Sequence, residues 1–224
     1  ILQPLAGGAT ARPFLTHMND LDIDLYLRVA PELYLKRLLV GGFERVFEIG
    51  KNFRNEGMDK EHNPEFTMLE AYAAYQNYEW LMGLTENLLV ALVRAVHGKD
   101  EFQYGGKRIR VTKPFHRVSF RDIVKEYSDL DWEKHSEKDF IAKAKELDVT
   151  IEKTMTKAII ADEIFKKLAR PNMIDPVFII DHPVELSPLS KKLSPESPNV
   201  ARFQLLIGGM EITNAFSELN APLD

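Results

Sequence analysis

Between Phe53 and Tyr72 the sequence concentrates residue types that bind charged and flat ligands. Arg54 and Glu56 stand two apart, a polar loop with His62 and Asn63 follows, and an alternating run begins at Glu65. Side chains of a strand alternate between its two faces. If 65–73 is a strand, Phe66, Met68, Glu70 and Tyr72 share one face. Thr67, Leu69 and Ala71 share the other, which reads as an ordinary packing face. The first face mixes two large apolar groups with a carboxylate and a phenol. A carboxylate left unpaired in a dry core costs several kcal/mol, so this face is expected to line a pocket for something cationic and something flat.

Each of these residues also has a plainer reading. Arg54 and Glu56 have the same parity, so they form either a surface ion pair of little worth or an arginine fork aimed at a phosphate. Phe66 is either a core residue or a stacking platform. Asn214, Phe216 and Glu218 share parity near the C-terminus, with Glu211 just before them. They are either the polar face of an edge strand or a second copy of the same design. Two strands that each combine an aromatic with a carboxylate raise the expectation of a common ligand. Glu32, at a helix start, is explained equally by the helix dipole.

These residues need elements to hold them. Residues 1–20, with Gly7, Gly8 and Pro13, read as a loop. Leu21–Val29 alternates as a strand, and Pro31 opens a short helix that Gly41 and Gly42 end. Glu44–Ile49 is a strand, and 51–55 continues it or pairs with it. Tyr78–Val96 carries Leu81, Leu84, Leu88, Leu92 and Val96 at helical spacing, with Gly98 as its cap. Gly105 and Gly106 mark a hairpin within 102–111. Three helices are expected at about 119–127, 136–147 and 155–169, with Ser119 and Ser136 as N-caps. This helical block, about 112–172, reads as a solvated insertion or as a lid or RNA-facing element. Residues 176–180 form a short buried strand, and the four prolines of 183–199 demand a loop. Val200–Ile207 and Met210–Phe216 form a hairpin around Gly208 and Gly209. Grouped helices and antiparallel-type strands give an α+β class, an antiparallel sheet flanked by helices, rather than a doubly wound sheet.

Composition sets outer bounds. The 224 residues can build one sizeable core, and 45% hydrophobic with 28% charged content is globular in character. No apolar run is long enough for a membrane helix, and residues 1–11 lack the pattern of a secretory signal. Cysteine is absent, which excludes disulfides and thiolate metal sites and fits a cytoplasmic setting. The histidines, at 17, 62, 97, 116, 135 and 182, have no ligand-type spacing. A net charge of −5 offers nucleic acid no general attraction. There is no Gly-rich phosphate loop, so a nucleotide would be held on a sheet by side chains.

Six stretches together resemble the class II lysyl-tRNA synthetase family: 12–14, 25–37, 41–48, 53–57, 62–70 and 214–220. The likeness covers nearly the whole chain outside the helical block, and residues 54–72 look like that class's motif 2. The resemblance implies a class II synthetase-like catalytic domain that activates lysine with ATP and Mg2+ and passes it to the 3′ end of tRNA(Lys). A homodimer without membrane association is implied as well. Arg54 would bridge the lysine carboxylate and the ATP α-phosphate. Glu56, His62 and Asn63 would hold ATP, with Phe66 under adenine and Met68 close by. Gly8 and Glu32 would take the α-amino group. Glu70, Tyr72 and Glu218 would receive the ε-ammonium, in a slot shaped by Asn214 and Phe216. Glu211 would hold magnesium and ATP, and Gln204 stands where the family usually offers a second acidic ligand. Motifs 1 and 3 and the anticodon-binding domain fall outside 1–224, so the chain is expected to be a partial catalytic domain that is inactive alone. Competing resemblances are a paralogue that lysylates an elongation factor and a non-catalytic synthetase-like binding protein.

Overall fold

In the computed structural model, which describes residues 1–59 and 62–220, the chain divides into a first unit, Ile1–Tyr75, and a second, Gln76–Asp224. Both mix helices with sheets.

In the first unit, β1 (Leu2–Gln3) and β2 (Leu15–Met18) flank β3 (Ile23–Leu27), each antiparallel to it. Residues 1–20 are therefore not the uniform loop expected from their glycines and prolines. All four residues of β2 are exposed, so the strand has no buried face to print an alternation. Leu21 falls in the turn before β3, where Asp22 has a φ of 50°; aspartate tolerates this left-handed region. Helix α1 (Glu32–Val40) begins directly after Pro31 and stops at Gly41, as the sequence predicts.

The central element is a two-stranded antiparallel ribbon, β4 (Arg45–Phe53) and β5 (Glu65–Ala73). Lys51–Phe53 continues β4 instead of forming a separate strand. Lys60 and Glu61 of the connecting loop lie outside the described residues. Helix α1 packs on both strands, with Leu35 buried. Phe66, Met68, Glu70 and Tyr72 share the half-buried face, as alternation requires. The opposite face is not the packing face expected of it. Thr67, Leu69 and Ala71 are exposed, as are Phe47 and Ile49 across from them on β4.

The second unit opens with α2 (Tyr78–His97), N-capped by Asn77 and ended by a left-handed Gly98. Its orientation corrects the expected core stripe. Met82 and Val90 are buried, whereas Leu84, Leu88, Leu92 and Val96 are exposed. The helix is apolar on two sides, and spacing alone does not choose between them. A hairpin of β6 (Glu101–Tyr104) and β7 (Lys107–Arg110) turns at Gly105–Gly106. Next come β8 (His116–Ser119), α3 (Phe120–Ser128), α4 (Glu137–Glu146) and α5 (Lys157–Leu168). Ser119 caps α3, and Ser136 with Asp139 forms the expected reciprocal box on α4. Then follow β9 (Val177–Ile180), β10 (Arg202–Ile207) and β11 (Met210–Phe216), and the sheet runs β11-β10-β9-β8.

All pairs in this sheet are antiparallel except β8–β9. That parallel pair was not legible, because β8 is four residues long and merges into the cap of α3. A parallel pair needs a long crossover, and helices α3 to α5 supply it. Their core of Phe120, Phe140, Ile160, Ile164 and Phe165 continues into Ile179 of β9 and Leu206 of β10. A second cluster joins Met82 of α2 to Ile109, Phe178, Phe203 and Leu205. Here Phe178 meets Phe203 edge-on at 5.1 Å, a favoured arrangement for aromatic rings.

Candidate functional site

In the first unit the ribbon and α1 assemble most of the residues singled out by spacing. Glu70 accepts a 2.9 Å hydrogen bond from the Tyr72 hydroxyl. Burial raises the Glu70 pKa, and Glu32 raises it further. The Tyr72 hydroxyl, Arg54 and Lys36 oppose them. Glu32 lies in the first turn of α1 and pairs with Lys36 one turn later at 2.6 Å. The same Lys36 ammonium lies 5.8 Å from the centre of the Tyr72 ring. This face thus already accommodates an alkylammonium, held by a carboxylate and an aromatic face. Gly8 abuts this region. Its φ is 92°, and a Cβ there would come within 3.2 Å of Glu32 and 3.3 Å of Ala30, so a side chain would be strained twice over.

Arg54 follows the end of β4. Its N–H bonds to the Pro64 carbonyl at 2.8 Å, and its Nε reaches the Val29 carbonyl at 3.4 Å. Its guanidinium carbon stands 5.1 Å from the Phe66 ring centre. The partner of Arg54 is thus an aromatic face and not Glu56, whose Oε1 accepts from the N–H of Arg12 at 3.4 Å. His62 is exposed and bonds to Asp59 through both its ring Nδ1 and its backbone N–H. Asn63 is exposed beside it. Met68 takes its place on the shared face between Phe66 and Glu70.

In the second unit, Glu211 and Asn214 are three apart and would leave opposite faces of a regular strand. A bulge intervenes: Leu205 pairs with Thr213 and Leu206 with Glu211. The extra residue resets the alternation. Gln204 sits opposite Asn214 and donates from Nε2 to Glu211 Oε2 at 2.9 Å. Glu211 is exposed on β11, yet the protein packed around its carboxylate partly desolvates it and raises its pKa, against the charges of Arg202 and Arg170 and the amide of Asn214. Arg202 Nε donates to Asn214 Oδ1 at 3.0 Å. Phe216 is half-buried at the end of β11, and Glu218 lies beyond it, bridged to Ser190.

Behind Gln204 stands His182, 1% exposed, with Nε2 3.1 Å from Gln204 Oε1. Burial, reinforced by the Arg202 charge, lowers its pKa to about 4. The folded state thus holds a neutral imidazole, whereas the unfolded chain titrates near 6.5. The stabilisation is complete above pH 6.5 and is lost as pH falls through 4. Chemical denaturation is expected to show roughly 3 kcal/mol lost over this range, and His182→Gln should flatten that slope. A slope that persists in the variant would assign it to other groups.

Four of the residues that matter here escaped sequence reasoning. Arg28 and Glu48, paired at 2.5 Å, and His182, against Gln204, act through partners that only the tertiary register supplies. The i,i+4 spacing of Lys36 to Glu32 was a readable signal. A cavity of about 380 Å³ lies elsewhere in the second unit, lined by Arg108, Arg110, Ile174 and Asp175. Arg110 is paired there with Asp175 at 2.8 Å. A second cavity, about 270 Å³ and purely apolar, lies between Leu89, Phe102, Ile109 and Ile207. Neither contains a residue singled out by the sequence.

Against known proteins, the model of the tRNA synthetases class II (D, K and N) family matches residues 1–224. The chain belongs to the class II tRNA synthetase family. A lysine–tRNA ligase of Christiangramia forsetii (strain DSM 17595 / CGMCC 1.15422 / KT0803) is 50% identical over all 224 residues. The chain spans 39% of that relative's length. The mixed helix and sheet architecture with antiparallel sheets is consistent with this family. No helix among the described residues is long and apolar enough to cross a membrane.

A synthetase of this family implies magnesium as the companion of ATP. Among the described residues no three or more acidic or histidine side chains cluster as a metal site. Gln204 turns its NH2 toward Glu211 and its oxygen toward His182. These residues do not make a resident magnesium cage. Glu211 alone suits a single contact to Mg2+ that arrives with ATP, since magnesium commonly binds one or two carboxylates plus substrate phosphates.

Proposed function

We propose that this class II synthetase chain serves lysine activation, forming lysyl-adenylate from lysine and Mg·ATP and passing the lysyl group to tRNA(Lys) as part of a homodimeric enzyme. The observation that carries the reading is the alkylammonium site of the first unit. There Glu32 and the Tyr72 ring hold the Lys36 side chain, beside a half-buried Glu70 that accepts from Tyr72. An aspartate or asparagine substrate would bring no side-chain cation to Glu70. The 50% identity to a lysine–tRNA ligase supports the same choice.

Under this reading Glu70 and Tyr72 receive the ε-ammonium, with Glu218, Asn214 and Phe216 contributing to lysine recognition. Glu32, beside Gly8, takes the α-amino group. Phe66 and Met68 contact the adenine, Glu56, His62 and Asn63 hold ATP, and Glu211 contacts the Mg·ATP phosphates. The lysine carboxylate is already ionised, so its in-line attack on the α-phosphorus needs no general base. An oxygen–phosphorus bond to the lysyl carboxylate forms as the bond to pyrophosphate breaks. Arg54 binds the carboxylate and the α-phosphate through its guanidinium, orients the reactants and offsets the charge that develops.

Lysine-dependent exchange of pyrophosphate into ATP, measured on the full-length protein with each of the twenty amino acids, tests this. Lysine is expected to support the fastest exchange. Exchange with aspartate or asparagine and none with lysine would overturn the assignment.

A further inference from the structure

We propose that Arg28 is a specificity-determining positioning residue, which neutralises Glu48 so that the negative charge met by the lysine ε-ammonium is that of Glu70. The proposal rests on the reading that Glu70 receives this ammonium. The β4–β5 register sets Glu48 directly opposite Glu70. Residues so placed leave the same face with Cβ atoms about 5 Å apart, and like charges there repel. Two bare carboxylates would offer an ammonium competing positions, and their repulsion would drive a proton onto one of them. The site needs one of the two charges cancelled in place.

Arg28 supplies that charge from outside the ribbon. Its N–H donates to the Ile1 carbonyl at 2.8 Å, and its own carbonyl accepts from the Phe53 N–H at 2.9 Å. With its backbone fixed on both sides, the side chain crosses β4. Nε donates to the Lys51 carbonyl at 2.8 Å, and Nη1 to Glu48 Oε1 at 2.5 Å. Only 10% of the Arg28 side chain is exposed, against 37% of Glu48, so the guanidinium is shielded from water while the carboxylate stays partly solvated. The crossing requires glycine at position 50. A Cβ on Gly50 would lie 2.2 Å from Arg28 Nη2 and 2.9 Å from Glu48 Oε1. Glu70 is also faced by Glu32 and Lys36 of α1, by Arg54 beyond β4 and by Tyr72 on its own strand. Glu48 is the carboxylate that stands across from it on the ribbon.

The test is a cycle of variants in the full-length protein, read by steady-state pyrophosphate exchange. Arg28→Met is expected to raise the KM for lysine about tenfold while changing the KM for ATP by less than about threefold. The acid limb of kcat/KM for lysine should move to higher pH, because the freed Glu48 charge favours protonated Glu70. Adding Glu48→Gln removes that charge and is expected to restore both the lysine KM and the acid limb. Gly50→Ala leaves both charges but displaces the guanidinium, so it should reproduce Arg28→Met and also be rescued by Glu48→Gln. This second pair serves if Arg28→Met does not fold. An unchanged lysine KM in Arg28→Met and Gly50→Ala, or impairment that Glu48→Gln fails to relieve, would overturn the proposal and leave Arg28 a strut of the fold. Glu70→Gln separates the two levels. If it leaves the lysine KM unchanged, the reading of Glu70 fails. If it raises that KM while Glu48→Gln rescues nothing, only the inference about Arg28 fails.

Discussion

Arg54→Ala is expected to lower kcat/KM for lysine-dependent pyrophosphate exchange about a thousandfold, roughly 4 kcal/mol of transition-state stabilisation. The size follows from what a guanidinium can do where Arg54 stands. Charge builds on the α-phosphate oxygens as the carboxylate attacks, and a planar fork can meet a phosphate and a carboxylate oxygen together. The position is held from three sides, by the Pro64 carbonyl on its N–H, the Val29 carbonyl on Nε and the Phe66 ring against its face. Such preorganisation lets the charge act without reorganising at the moment of reaction. Arg54→Lys keeps the charge and loses the fork, so it should recover only part of the loss. Melting temperatures within a few degrees of the parent would show that the ribbon survives. Exchange by Arg54→Ala within about threefold of the parent would remove Arg54 from the reaction.

Glu70→Gln is expected to raise the KM for lysine about a hundredfold, roughly 3 kcal/mol, while the KM for ATP stays nearly constant. The substitution keeps the shape and one acceptor for the Tyr72 hydroxyl but removes the charge that an ammonium needs once it leaves water. The pH dependence has a definite sign. Burial, with Glu32 nearby, raises the Glu70 pKa above 4.5. Lysine and the proton compete for the same carboxylate, so lysine affinity should weaken on acidification at a higher pH than an ordinary glutamate would give. In Glu70→Gln this limb should disappear. Equal effects on lysine and ATP would point to damage of the ribbon instead of loss of an ammonium site.

Much of the architecture around these residues was legible because it obeys local rules. The alternation from Glu65 to Ala73 became a strand with the expected residues on its half-buried face. Paired glycines marked both hairpins, and the caps at Ser119, Ser136 and Gly98 fell where side-chain chemistry demands them. What escaped depends on partners distant in sequence. The bulge that brings Glu211 to Gln204 lies ahead of the alternation from Asn214 to Phe216, and no spacing in β11 announces it. The exposed face of Leu69, Ile49 and Phe47 carries the same apolar letters as a buried one. Strand β8 became visible only through its parallel neighbour β9. The pairing of Arg28 with Glu48 ties the residue after β3 to β4 through a side chain, and no spacing within either segment announces it.

The most direct measurement is a crystal structure of the full-length protein with lysine and a non-hydrolysable ATP analogue. The ε-nitrogen of lysine is expected within about 3 Å of a Glu70 carboxylate oxygen, close to the Tyr72 hydroxyl, with Arg54 on the lysine carboxylate. A lysine bound with its ε-nitrogen away from Glu70, or with its α-amino group there instead, would contradict it.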